Sequence, residues 1–147
     1  MKRITFFIIL FCVSIQFSHS QTLQKFVFFD TGKHQLRAEA KATLDSLTDR
    51  LSHLTDYQIG IAGHTDNRAD KAYNEALSER RSNSVKNYLR SKGIAAERFL
   101  VSSFGETKPL SNNSDERGRQ LNRRVSITVI SNELIGTRNV FQFSASQ

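Results

Sequence analysis

The feature that most constrains this chain is an alternation of strand-like and helix-like patterns running from Lys25 to Val129. Lys25 to Phe29 is β-branched and aromatic, and Asp30-Thr31-Gly32 breaks it, which predicts a strand and a turn. Ala40, Leu44, Leu47, Leu51 and Leu54 then recur at helical steps, placing one apolar face on a helix from about Leu36 to Leu54. Gln58 to Gly63 reads as a short strand in which Ile59 and Ile61 alternate with the small Gly60 and Ala62, leaving room for close packing on their face. Strand, helix and strand predict a βαβ unit with a parallel pair and a right-handed crossover.

A second helix is expected from about Asp70 to Ser91, with Tyr73, Leu77, Val85, Tyr88 and Leu89 on its buried side and Gly93 stopping it. Phe99 to Phe104 reads as a third strand, and Gly105 to Asn113 as a loop. Ser114 to Gln120 reads as a short polar helix, and Val125, Ile127 and Val129 as the inward positions of a fourth strand. The pattern dissolves after Ser131. Val140 to Phe143 fits either an extra edge strand or an apolar peptide in a tail.

The first twenty residues stand outside this pattern. Lys2 and Arg3 precede an apolar run from Ile4 to Phe17, and Ser18-His19-Ser20 resembles a small-residue cleavage site, so 1–20 reads as a secretory signal peptide. The run is shorter than the roughly 20 residues that span a bilayer as a helix. The one cysteine, Cys12, lies inside it, and bulky Phe11 before it argues against a lipidation signal. The expected organisation is a leader at 1–20, one domain at 21–131 and a tail at 132–147. Removing Lys2 and Arg3 lowers the formal charge from +7 to +5. The domain stays basic, but it has no run of like charge and no aromatics interleaved with the cations. That argues against nucleic acid and for a solvated basic surface favouring anionic envelope polymers.

Arg81 is the anomaly. It lies four residues after Leu77 and four before Val85, on the stripe that should face the core, so its guanidinium needs a partner. Helical side chains lean towards the helix N-terminus, which points Arg81 at the loop holding Thr65 and Asp66. One reading is an internal Arg81–Asp66 salt bridge. The other is a pair held apart by the backbone, with Asp66 receiving a ligand's ammonium and Arg81 its carboxylate, helped by free N–H groups at the helix start.

The remaining polar residues suggest no catalysis. His64 has no second ligand at metal-binding spacing, and Ser78, Ser82 and Ser84 have no base nearby in sequence, so they read as structural or surface residues. In Asn122-Arg123-Arg124 the strand period puts Arg123 on the face of Val125 and Arg124 on the opposite face. At least one should point inward, towards a cleft or an acid such as Asp115 or Glu116. A binding module is expected, with no enzyme activity, cofactor or metal.

At these residues the chain resembles the OmpA C-terminal domain family of peptidoglycan-associating modules. The likeness covers about Phe26 to Val129. It rests on Val27-Phe28-Phe29-Asp30-Thr31-Gly32 with Leu36, Gly63-His64-Thr65-Asp66, Asn74, Leu77-Ser78 and Arg81. Gly105-Glu106 with Pro109, Asn113, Gly118-Arg119 and Asn122-Arg123-Arg124-Val125 complete it. The resemblance implies an α/β (α+β) sandwich, a βαβαβ-type core whose mixed four-stranded sheet is packed by two main helices. It also implies non-covalent binding of meso-diaminopimelate in Gram-negative peptidoglycan stems. Asp66 and Arg81 would hold the amino and carboxylate ends. Phe29, Asp30, Thr31, Thr65, Asn74 and Leu77 would line the pocket, and Arg124 would close it. Ala69 replaces a common glycine and Ser82 a common alanine, which bears on loop shape and packing rather than on the charge pair.

The expected setting is the periplasm, near the outer membrane and wall, with peptidoglycan as partner and other envelope proteins as further candidates. The alternative is a structural or interaction domain of an envelope complex that has lost wall binding. A wall amidase or hydrolase ranks third. If the pocket reading holds, Asp66→Ala and Arg81→Ala should each abolish binding and leave a folded domain.

Overall fold

The computed structural model describes residues 21–131; the leader read at 1–20 and the tail with Val140 to Phe143 lie outside the described residues. The elements in order are β1 (Gln21–Phe28), α1 (Ala38–Leu51), β2 (Gln58–Gly63), α2 (Lys71–Ser91), β3 (Phe99–Ser103), α3 (Glu116–Asn122) and β4 (Arg124–Ser131). A single 3-10 turn, Ala96–Arg98, leads into β3.

These form one mixed sheet in the order β1-β4-β2-β3. β4 runs antiparallel to both of its neighbours, from Phe28↔Arg124 to Gln21↔Ser131 on one side and from Gly63↔Val125 to Gln58↔Ile130 on the other. β3 lies parallel to β2 across Ile59↔Phe99 to Gly63↔Ser103. The expected simple βαβ unit is therefore corrected: β4 enters between β1 and β2, and the hydrogen-bonded parallel pair is β2 and β3, joined through α2. The mixed four-stranded sheet with two main helices is otherwise the expected α+β architecture.

Both main helices bury their apolar stripes with the same side of the sheet. Ala40, Leu44, Leu47 and Leu51 of α1 and Val85 and Leu89 of α2 join Val27, Ile59, Ile61, Val125, Ile127 and Val129 in one core cluster. Leu36 and Leu54, read as helical, flank α1 and pack on the core from its connections. Asp70 caps α2 by accepting a bond from the Tyr73 N–H at 2.9 Å. Tyr73 is a correction. It is 43% exposed, because at the first turn of α2 the stripe has run past the end of the sheet.

The tight contact is not at Gly60, where a Cβ would meet Thr128 at an ordinary 3.7 Å, but at Gly63. A Cβ there would stand 2.1 Å from the Ser78 carbonyl oxygen and 2.5 Å from Ser82 Oγ. Glycine lets α2 rest directly on the end of β2, which brings Arg81 up to the turns where β1 and β2 finish.

Candidate functional site

The site is built where β1 and β2 leave the sheet. After β1, the Phe29 N–H donates to the Arg123 carbonyl at 2.8 Å, and the turn closes through Lys33 N–H to Asp30 O at 3.1 Å. After β2, the His64 N–H donates to Arg124 O at 2.9 Å and the Thr65 N–H to Gly105 O at 2.8 Å. The two turns are thus fixed to β4 and to the loop following β3, and Asp66 is carried beside them.

Arg81 sits behind both turns with no exposed surface. Its Nε donates to Lys33 O at 2.9 Å, Nη1 to His64 O at 2.8 Å and Nη2 to Asp30 O at 3.0 Å, and the guanidinium lies 5.2 Å from the Phe29 ring centroid. Burial lowers its pKa to about 10, against the pull of Asp66, so it remains a cation at neutral pH. The direct Arg81–Asp66 bridge that the spacing allowed is not formed. Backbone carbonyls satisfy the guanidinium instead, and the buried arginine ties α2 to both turns.

Asp66, 6% exposed, is bonded by the neighbouring arginine of the closing motif: Arg123 Nη1 donates to Asp66 Oδ2 at 2.8 Å. Arg123 Nη2 donates to Glu116 Oε1 and to Gln120 Oε1, each at 2.6 Å. Burial works against the Arg123 charge, but its bonds to Asp66 and Glu116 outweigh burial and raise its pKa. Glu116 also accepts from Arg119 at 3.2 Å and from Arg68, and its bond from Arg123 holds its pKa below the usual carboxylate range. Of the two acids considered for the arginine pair, Glu116 is therefore a partner, while Asp115 caps α3 through the Gly118 N–H.

The other expected lining residues surround this centre. Phe29 lies under Arg81, fully buried, and Leu77 is 3% exposed on α2. Asn74 donates from Nδ2 to Ala69 O at 3.1 Å and to Glu106 Oε2 at 2.5 Å, joining α2 to the loops on either side. Thr65 is buried and its Oγ1 has no partner among the described residues. Asp30 is half-buried, 3.4 Å from Arg37 Nη1, and Thr31 is exposed. Arg124, expected to close the pocket, reaches the Lys108 carbonyl with Nη2 at 3.4 Å, while Arg123 bonds Asp66.

Sequence reasoning offered Glu116 as a partner for the arginine pair but missed the bond from Arg123 to Asp66, and it buried Tyr73. A Cβ added at Gly32 would lie 3.6 Å from the Tyr73 hydroxyl, which puts that hydroxyl over the first turn, at the rim of the site. Its position in the first turn of α2, beside the cap residue, was the available signal.

His64 stacks on Phe104 at 5.6 Å between ring centroids, and burial, with Arg124 and Lys108 adding, lowers its pKa to about 4. Ser78 Oγ accepts from the Gly105 N–H, and Ser82 Oγ donates to Ser102 O, so both join α2 to the β3 side of the fold. No cluster of three or more potential metal ligands occurs among the described residues. An open groove of about 600 Å³ between α2 and β3, lined by Glu75, Glu79, Ser103 and Phe104, includes neither Asp66 nor Arg81.

Residues 28–123 match the model of the OmpA family. A peptidoglycan-associated lipoprotein of Rhizobium meliloti is 38% identical over 104 residues, covering 71% of this chain and 58% of the relative. Outer membrane protein A of Escherichia fergusonii is 40% identical over 101 residues, covering 67% of this chain and 42% of the relative. The match thus spans less than two thirds of either relative. The crystal structure of the peptidoglycan-associated lipoprotein from Burkholderia pseudomallei superposes with a TM-score of 0.68 at 28% identity, covering 71% of this chain and 88% of that one.

Proposed function

The chain belongs to the OmpA family, and on that premise we propose that it binds cell-wall peptidoglycan without making or breaking a bond, through the meso-diaminopimelate of the stem peptide. The observation that carries this reading is the pair of buried opposite charges, Asp66 after β2 and Arg81 on α2 behind the two turns, not bonded to each other. Diaminopimelate offers an ammonium and a carboxylate on one carbon. Asp66 accepts the ammonium. The carboxylate comes to the Asp30–Lys33 turn, where a charge-assisted bond from Arg81 replaces one to a neutral carbonyl. Phe29, Thr31, Thr65, Asn74 and Leu77 shape the pocket, and Tyr73 stands at its rim. The names of two relatives, both peptidoglycan-associated lipoproteins, support the wall as partner.

In this reading residues 1–20 direct export, 21–131 form the wall-binding unit in the periplasm near the outer membrane, and 132–147 follow as a tail. The family membership and the absence of a nucleophile paired with a base among the site residues support binding rather than catalysis.

One observation favours the second reading, an envelope interaction domain that has lost wall binding: Arg123 already neutralises Asp66 at 2.8 Å. For a ligand ammonium to bind, Arg123 must turn to Glu116 and Gln120, which already hold its other nitrogen. Sedimentation with purified sacculi separates the readings. The parent protein should pellet, and Asp66→Asn should remain soluble at concentrations about tenfold higher while keeping the parent's circular dichroism. Pelleting equal to the parent by Asp66→Asn would remove Asp66 from the site, and no pelleting by the parent would leave the second reading.

A further inference from the structure

Three arginines of this domain are almost wholly buried, and they are not satisfied alike. Arg81 gives all three nitrogens to carbonyl oxygens, and Arg123 is held by two carboxylates. Arg124, 5% exposed, has no partner for Nε or Nη1 among the described residues, and its Nη2 makes one bond of 3.4 Å, at the long limit for such a contact. A desolvated guanidinium without an anion is among the costlier arrangements in a protein interior.

The surroundings are cationic. Alternation along β4 places Arg124 on the side of the sheet away from Val125 and the helices, opposite Phe28 of β1. His64, which follows Gly63 at the end of β2, is 3% exposed, and its Nδ1 also lacks a partner. The Lys108 ammonium lies 3.6 Å from the centroid of Phe104, the ring that stacks on His64. Arg124, with two nitrogens unpartnered, the His64 ring, bonded to the Lys108 backbone but with Nδ1 unpartnered, and the Lys108 ammonium therefore converge under the loop after β3, and no carboxylate bonds Arg124 there among the described residues.

We propose that Arg124, Lys108 and His64 form a second site, on the back of the sheet, for a small oxyanion: a carboxylate or phosphate group. The oxyanion takes the place of the weak Lys108 carbonyl contact, accepts charge-assisted bonds from the guanidinium and draws in the Lys108 ammonium. This site is independent of the Asp66–Arg81 pocket and does not rest on the wall-binding reading.

The test follows the Nε–H resonance of Arg124 in ¹H–¹⁵N spectra of the purified protein, titrated in parallel with sodium phosphate, sodium acetate and sodium chloride at matched ionic strength. A saturable shift with phosphate or acetate, at about millimolar affinity and absent with chloride, supports the site. Which salt produces it tells whether phosphate or carboxylate is accepted. Lys108→Ala, at an exposed position that leaves the core intact, should weaken that binding severalfold. A resonance unmoved by both oxyanions, or moved equally by chloride, would mean that solvent satisfies Arg124, and the proposal would fall.

Discussion

His64 should give the fold a defined acid sensitivity. Its ring is buried against Phe104, and burial first, then the charges of Arg124 and Lys108, bring its pKa from 6.5 to about 4. The unfolded chain therefore takes up a proton on this imidazole near pH 6.5, and the folded chain only near pH 4. The stability tied to neutral His64 is complete above pH 6.5 and is lost progressively as pH falls towards 4. At 1.36 kcal/mol per pKa unit the whole loss is about 3 kcal/mol, of which about 2 kcal/mol falls between pH 7 and 5. Asp45, lowered by Lys92, and Glu116, lowered by Arg123, also contribute stability that falls with pH, but both remain in the His64→Gln variant, so the difference between the two proteins isolates the ring. Urea unfolding at the two pH values, for the parent and His64→Gln in phosphate-free buffer, measures the difference directly. The parent should lose about 2 kcal/mol more than the variant. Equal losses in the two proteins would refute the assignment of the acid response to this buried ring.

Other perturbations follow from single contacts. Gly63→Ala forces a Cβ to within 2.1 Å of the Ser78 carbonyl, so the helix must lift from β2; a loss of at least about 3 kcal/mol in urea melts is expected. Arg81→Met takes the guanidinium donor from one buried and two part-buried carbonyls and should cost about 3 kcal/mol, which corrects the expectation that removing this side chain leaves the fold intact. Asp66→Asn keeps the shape of the side chain and leaves Arg123 on Glu116, so it should cost only about 1–2 kcal/mol. If calorimetry ranked Asp66→Asn above Arg81→Met, the stapling role of Arg81 would be wrong. Asp70→Ala removes the α2 cap and should lower stability by about 1 kcal/mol in the same urea melts.

Local patterns were legible where burial has a period. Ile59 and Ile61 marked β2, and Ala40, Leu44, Leu47 and Leu51 marked the inner face of α1, because each period of two or of about 3.6 writes burial directly into residue type. Strand order was not legible. The insertion of β4 between β1 and β2 is a non-local pairing, and Val125, Ile127 and Val129 would look the same beside either neighbour.

The site divides in the same way. Arg81 announced itself as a cation on an apolar stripe, but its partners are the carbonyls of Asp30, Lys33 and His64, and a backbone carbonyl has no signature in a sequence. Arg123 points inward, as the strand phase had it, and bonds Glu116, one of the two acids expected, but its bond to Asp66 was not legible. Arg123 is the residue that ends α3, with φ −75° and ψ 69°, so its reach is set by the helix end as well as by the strand that begins at Arg124. Its side chain turns to Asp66, a partner that the spacing of the two segments in sequence does not announce.

Recognition of the diaminopimelate zwitterion is measured most directly by sedimentation of the protein with sacculi whose stems carry meso-diaminopimelate, beside sacculi carrying lysine at the same position. Lysine keeps an ammonium at the end of its side chain but lacks the second carboxylate beside it. The protein should pellet with the diaminopimelate wall and stay in solution with the lysine wall. Equal pelleting with both walls would contradict recognition of a zwitterion by Asp66 and Arg81.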